Sequence, residues 1–181
     1  LSSMTSRPII PPISLAATFT FESAADMARA VREQDASLYS RWSNPTNDAT
    51  EAAIRDLEGA EWSYTSSSGM GAIHLGLMAA WHHQRGPVLV QTEVYGGTHE
   101  LVETHLPHLG LDIRRASIDS LVSTAASLPD NAVIHLEIPA NPTLRVVDIE
   151  AVRAAAPRAV IVVDATFASP LLFRGLSRGA D

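Results

Sequence analysis

Short runs of β-branched residues, separated by stretches with helical spacing, constrain this chain more than any other feature. Val88–Gln91 follows a Gly86-Pro87 turn, residues 132–137 read Ala-Val-Ile-His-Leu-Glu, and Val160–Asp164 is apolar until its last residue. Each run is short, rich in Val and Ile, and bounded by turn residues, which predicts buried strands. Residues 111–116 give a further strand. Between them, residues 72–81, 100–106, 120–128 and 148–156 read as helices. Such alternation predicts an α/β domain with a largely parallel sheet. In sheets of this kind ligands bind beyond the carboxyl ends of the strands. Tyr95, Glu137, Asn141 and Asp164 all fall on or just after those ends.

The region before the sheet is built differently. Pro8, Pro11 and Pro12 disfavour helix, so residues 1–23 read as an extended arm. An arm without a core of its own packs on something else, often a neighbouring subunit. Ser23 can cap a helix over residues 24–32. The stretch Tyr39-Ser40-Arg41-Trp42-Ser43-Asn44-Pro45-Thr46 is irregular, with Asn44-Pro45 as a turn signal. A cap at Thr46 or Asn47 then starts a helix ending at Gly59, with Ala49, Ala52, Ala53, Ile54 and Leu57 as its apolar face. The expected organisation is an arm and loop over residues 1–46, then the α/β domain over residues 47–181.

One loop points to a ligand. Tyr64-Thr65-Ser66-Ser67-Ser68-Gly69-Met70-Gly71 leads into the 72–81 helix, whose apolar composition predicts burial. Glycines at a helix start let backbone N–H groups approach an anion, and the helix dipole favours negative charge there. Alone, Ser and Gly in this place more often mark only a cap and turn. The cluster of polar residues at strand ends raises the reading to a phosphate site.

Composition removes several function classes. The formal charge of −7 argues against nucleic acid or an anionic membrane as partner. The 181 residues contain no cysteine, which excludes disulfides, thiolate zinc sites and a cysteine nucleophile. No run of about 18 apolar residues suggests a spanning helix, and no basic segment precedes an apolar one, so cytoplasmic is the default. The histidines form no metal-ligand pattern with carboxylates. All 13 basic residues are arginine.

Five ordered motifs carry a family likeness: Tyr39 to Thr46, Ser68-Gly69-Met70, Tyr95-Gly96-Gly97-Thr98, Glu137-Ile138-Pro139-Ala140-Asn141-Pro142, and Val163 to Pro170. In order and spacing they resemble the Cys/Met-metabolism enzymes that use pyridoxal 5′-phosphate. These include methionine γ-lyase, cystathionine γ- and β-lyase, cystathionine γ-synthase and the homoserine sulfhydrylases. The resemblance implies the large domain of fold type I, aspartate aminotransferase-like. It implies that Ser68, Gly69 and Met70 hold the cofactor phosphate, that Tyr95 stacks on the pyridine ring and takes part in catalysis, and that Asp164 keeps the pyridine nitrogen protonated. Asn141 would bond the ring hydroxyl, with Glu137 nearby and Thr166 supporting the Asp164 loop. Tyr39 and Arg41 would cross a homo-oligomer interface to the neighbour's cofactor phosphate.

Two departures stand out. Gly97 occupies the place of a cysteine usual in methionine γ-lyase, and Ala165 that of an asparagine after the aspartate. More consequential, the family chemistry needs a lysine that forms a Schiff base with the cofactor, expected shortly beyond residue 181. The chain has no lysine. The expectation is therefore the N-terminal part of a carbon–sulfur lyase acting on a sulfur amino acid such as methionine or cystathionine, inactive alone. A C-terminal half from the same or a second polypeptide would supply the lysine. Chemical replacement at the γ-carbon, a non-catalytic scaffold and, more weakly, a nucleotide-binding module are the alternatives.

Overall fold

The computed structural model describes residues 8–34 and 36–181. These form two compact units: the chain up to Asp56 with Glu61–Thr65, and Leu57–Ala60 with Ser66–Asp181.

In the first unit, helix α1 spans Ala24–Glu33 and most of α2, Pro45–Glu58, follows. Ser23 caps α1 as its sequence predicts, its Oγ accepting the Asp26 N–H at 3.1 Å. Helix α2 starts one residue before the expected cap. Pro45 has no N–H to leave unsatisfied at a helix start, and Asn44 Oδ1 caps the turn by accepting the Thr46 N–H at 2.9 Å. The Thr46 hydroxyl is then available to accept the Ser14 N–H at 2.8 Å, which ties down the arm. The arm is extended, and Thr18 forms an antiparallel bridge with Tyr39. Its apolar side chains find little cover: Ile9, Ile10 and Leu15 are exposed. The apolar face expected of α2 likewise buries no residue.

The second unit carries a parallel four-stranded sheet in the order β2-β1-β3-β4. The strands are β1 Val88–Gln91, β2 Ile113–Ala116, β3 Val133–Glu137 and β4 Val160–Asp164. Alternation along the strands divides the core. Leu89, Ile134, Leu136 and Ile161 face α5 (Leu121–Ala125) and α6 (Ile149–Ala155). Val88, Val90 and Val133 face α3 (Gly69–Gln84) and the segment carrying Leu101, Val102 and Leu106. The chain places β2 on one side of β1 and β3 on the other, so the order reverses beside β1 and opens a crevice at the carboxyl ends.

Several elements depart from their sequence expectation. Helix α3 buries only Leu77 and Ala80, and Leu75 faces outward. Its larger apolar residues, Met70, Ile73, Leu75, Leu77, Met78 and Trp81, are spread around the helix, and the sheet covers just one of its faces. The helix expected over residues 100–106 begins earlier, because α4 starts at Gly96 (Gly96–Glu100) and runs into a π-helical turn over Leu101–His105. Burial of Thr98, Leu101 and Val102 overrides the poor helix propensity of two glycines. Helix α5 is shorter than the 120–128 stretch. The hydroxyls of Ser123, Thr124 and Ser127 donate back to carbonyls three or four residues earlier, which competes with a regular helix.

Candidate active site

The loops at the carboxyl ends of β1, β3 and β4 meet the start of α3 around a cavity of about 420 Å³. Ser68, Gly69, Met70, Tyr95, Glu137, Asn141, Asp164 and Thr166 line it, joined by Ile73, Pro139 and Phe167. Eight of the ten residues singled out in the sequence thus line one cavity. Tyr39 and Arg41 belong to the first unit and are not among the lining residues. There the Arg41 guanidinium lies 5.3 Å from the Tyr39 ring centroid.

At one end of the cavity, Ser68 is the N-cap of α3 and its Oγ accepts the Gly71 N–H at 3.0 Å. The Ser68 carbonyl accepts the Ala72 N–H. As the first two helical residues, Gly69 and Met70 have no intrahelical acceptor for their amides. Two N–H groups without a helical acceptor, at the positive end of a 16-residue helix, make a place where negative charge is favoured.

At the other end stands Asp164, the last residue of β4. It is half-buried rather than enclosed. Its Oδ1 accepts both the backbone N–H of Thr166 at 3.0 Å and the Thr166 hydroxyl at 2.5 Å. Its Oδ2 has no hydrogen bond among the described residues. Both Thr166 donors thus hold one oxygen of the Asp164 carboxylate in place.

Glu137 pairs with Asp164 across β3 and β4. Burial and the Asp164 charge push its pKa up, opposed by two backbone amides. Those amides are the Tyr95 N–H, 2.7 Å from Oε2, and the Asn141 N–H, 2.8 Å from Oε1. Both carboxylate oxygens are thus engaged in holding the loops that carry Tyr95 and Asn141. Asn141 and Tyr95 both line the cavity, and these two bonds occupy only their backbone N–H groups.

One residue of the site, Gln91, carries no signal in the sequence, and a second, Gly97, stands there only as a departure from a family motif. Gln91 is fully buried at the end of β1. Its side chain accepts the Glu137 N–H at 3.1 Å and donates to the Glu137 carbonyl at 3.1 Å and the Glu93 carbonyl at 2.6 Å. A side-chain amide thereby continues the β1–β3 pairing where the strands part. Gly97 matters by its smallness. A Cβ there would lie 2.8 Å from the Tyr95 ring and 3.0 Å from the Met70 sulfur.

An anion-binding helix start and a strand-end carboxylate, set around a crevice where the strand order reverses, define a class: a cofactor-binding α/β enzyme domain. The chain belongs to the Cys/Met metabolism PLP-dependent enzyme family, whose model matches residues 2–181. It is 36% identical over 179 residues to the L-methionine gamma-lyase of Pseudomonas putida, covering 96% of this chain and 44% of that one. It is 35% identical over 168 residues to the O-succinylhomoserine sulfhydrylase of Pseudomonas aeruginosa, covering 91% of this chain and 41% of the relative. A crystal structure of a candidate O-acetylhomoserine (thiol)-lyase from Campylobacter jejuni, which contains a pyridoxyl-lysine phosphate, superposes with a TM-score of 0.84 at 29% identity. That match covers 98% of this chain and 44% of the other. The chain therefore spans less than half the length of these relatives. Among the described residues, no helix is long and apolar enough to cross a membrane.

The lining residues fit the family cofactor. The cavity lies within the size range of small-molecule sites. Free amides suit a phosphate, Tyr95 offers a ring face, and Asp164 Oδ2 is an open acceptor for a pyridine N–H.

Proposed function

We propose that this chain is the N-terminal part of a pyridoxal-phosphate carbon–sulfur lyase that carries out γ-elimination on a sulfur amino acid such as methionine or cystathionine. The observation that carries this reading is the convergence of Gly69, Met70, Tyr95, Asn141 and Asp164 on one cavity. When bound, the cofactor supplies an electron-withdrawing ring that stabilises negative charge on carbons of the attached amino acid.

The residues divide the work by chemistry. The Gly69 and Met70 amides hold the phosphate, an interaction that needs no side-chain charge. Tyr95 packs its ring against the pyridine face. Asp164 Oδ2 accepts the pyridine N–H and, as an anion, favours its protonated form. Glu137 adds negative potential beside it while fixing the Tyr95 and Asn141 loops. Asn141 donates to the ring oxygen. Tyr39 and Arg41 form a preassembled pair that reaches the phosphate of a neighbouring subunit, with the Arg41 fork suited to that anion.

Covalent attachment and proton transfer require a lysine, and none is present among the 181 residues. That lysine comes from the rest of the same polypeptide or from a second one, and these residues alone are inactive. A second reading, replacement at the γ-carbon of an activated homoserine, is favoured by the likeness to a sulfhydrylase.

Product analysis of the assembled protein separates the two. γ-Elimination releases 2-oxobutanoate, ammonia and a thiol from methionine or cystathionine. Replacement consumes a thiol with O-acetylhomoserine and yields a new thioether or thiol amino acid. An assembled protein that binds the cofactor and does neither would leave the scaffold reading.

A further inference from the structure

His135 lies in the middle of β3, next to the site but outside every role given above. It is fully buried, and neither ring nitrogen has a hydrogen-bond partner among the described residues. Buried polar groups without partners are rare because they lose their hydration with no return. Alternation puts His135 on the sheet face of Val133, toward α3. Register pairs His135 with Val162 and Glu137 with Asp164, so Asp164 is the diagonal neighbour of His135.

A second cavity lies there, of about 230 Å³, lined by His135, Asp164, Thr166, Gly69, Ala72 and Ile73 among others. It has room for water, since one molecule needs only about 30 Å³ of liquid volume. The acceptors of Asp164 complete the picture. A carboxylate oxygen accepts two hydrogen bonds. Thr166 fills both positions on Oδ1, and both positions on Oδ2 are open. Asp164 also lines both cavities, so one Oδ2 position can serve each.

We propose that His135 and Asp164 hold an ordered water between them in this second cavity, and that His135 is thereby a positioning residue for the carboxylate that meets the cofactor nitrogen. The water donates one hydrogen to Asp164 Oδ2. It also accepts the imidazole N–H or donates its second hydrogen to the bare ring nitrogen. A neutral ring suits either arrangement. Burial pushes the His135 pKa down to about 4; Asp164 and the Val162 carbonyl pull the other way, and Arg115 adds to the lowering. The Val162 carbonyl favours the N–H by proximity without closing a hydrogen bond.

The consequence for the cofactor rests on the function proposed above; the water itself does not. The test is a crystal structure of the assembled protein without cofactor, paired with cofactor titration of two variants. A water peak within hydrogen-bond reach of both a His135 nitrogen and Asp164 is expected. His135→Phe removes the water's partner and is expected to weaken cofactor binding about tenfold and to shift the pH dependence of the bound cofactor's absorption. His135→Gln keeps a polar partner and is expected to bind within about twofold of the parent. A dry cavity overturns the proposal, as does a Phe variant with parental affinity and pH profile, or a Gln variant as weak as Phe. Should the Phe variant fail to fold, the water peak and the Gln variant decide. If the parent takes up no cofactor, the functional reading fails while the water peak still settles this inference.

Discussion

At the scale of single residues, the site depends on small side chains and complete hydrogen bonding. Gly97 leaves no space between the Tyr95 ring and Met70. Gly97→Ala is expected to displace the ring, to destabilise the fold by about 1–3 kcal/mol in denaturant unfolding, the usual range for overpacking, and to weaken cofactor binding in a titration. Thr166→Val removes one of the two donors to Asp164 Oδ1. Loss of one charge-assisted hydrogen bond predicts roughly tenfold weaker cofactor binding by the same titration, and Thr166→Ser restores it. Asp164, Thr166 and Asn141 were legible in the sequence because short motifs carry them. Gln91 and His135 were not. Their roles arise from the adjacency of β1, β3 and β4, and Gln91 reaches a residue 46 positions away. Nothing local in Val-Leu-Val-Gln marks that last residue as a bridge.

At the scale of elements, the strands were legible since buried runs of Val and Ile admit little else. Element ends were less so. The start of α2 is decided by Pro45 and a tertiary bond from Ser14 to Thr46, and α4 begins at glycines only because Leu101 and Val102 are buried behind them. Leu77 anchors α3, and with it the phosphate-binding amides, to the sheet. Leu77→Ala is expected to destabilise the fold by about 2–5 kcal/mol in denaturant unfolding. In β3, the sign of the pH dependence follows from His135. Its folded pKa of about 4 lies below the ordinary 6.5, so the unfolded chain binds the extra proton. Its contribution is complete above pH 6.5 and is lost as pH falls toward 4, about 3 kcal/mol in all. Thermal unfolding of the assembled protein at stepped pH checks this. The acid loss is expected to shrink in His135→Gln.

At the scale of the whole molecule, two features point outward. Arm residues Ile9, Ile10 and Leu15 and the Tyr39–Arg41 pair are presented rather than covered, which accords with the proposed contact between subunits. Arg41→Ala is expected to lower cofactor affinity about tenfold in the assembled protein, by loss of a charge-assisted phosphate contact. Sedimentation is expected to show the assembly itself intact. The other feature is chemical: a cavity suited to the cofactor, in residues that contain no lysine.

The measurement that bears most directly on the central claim is a titration of pyridoxal phosphate, followed by visible absorption and borohydride trapping. It is run on these residues alone and on the protein assembled with its lysine-bearing part. The account predicts a trapped, lysine-linked chromophore in the assembled protein only, with affinity falling sharply in Asp164→Asn. Assembled protein without the chromophore, or a chromophore indifferent to Asp164, would contradict it.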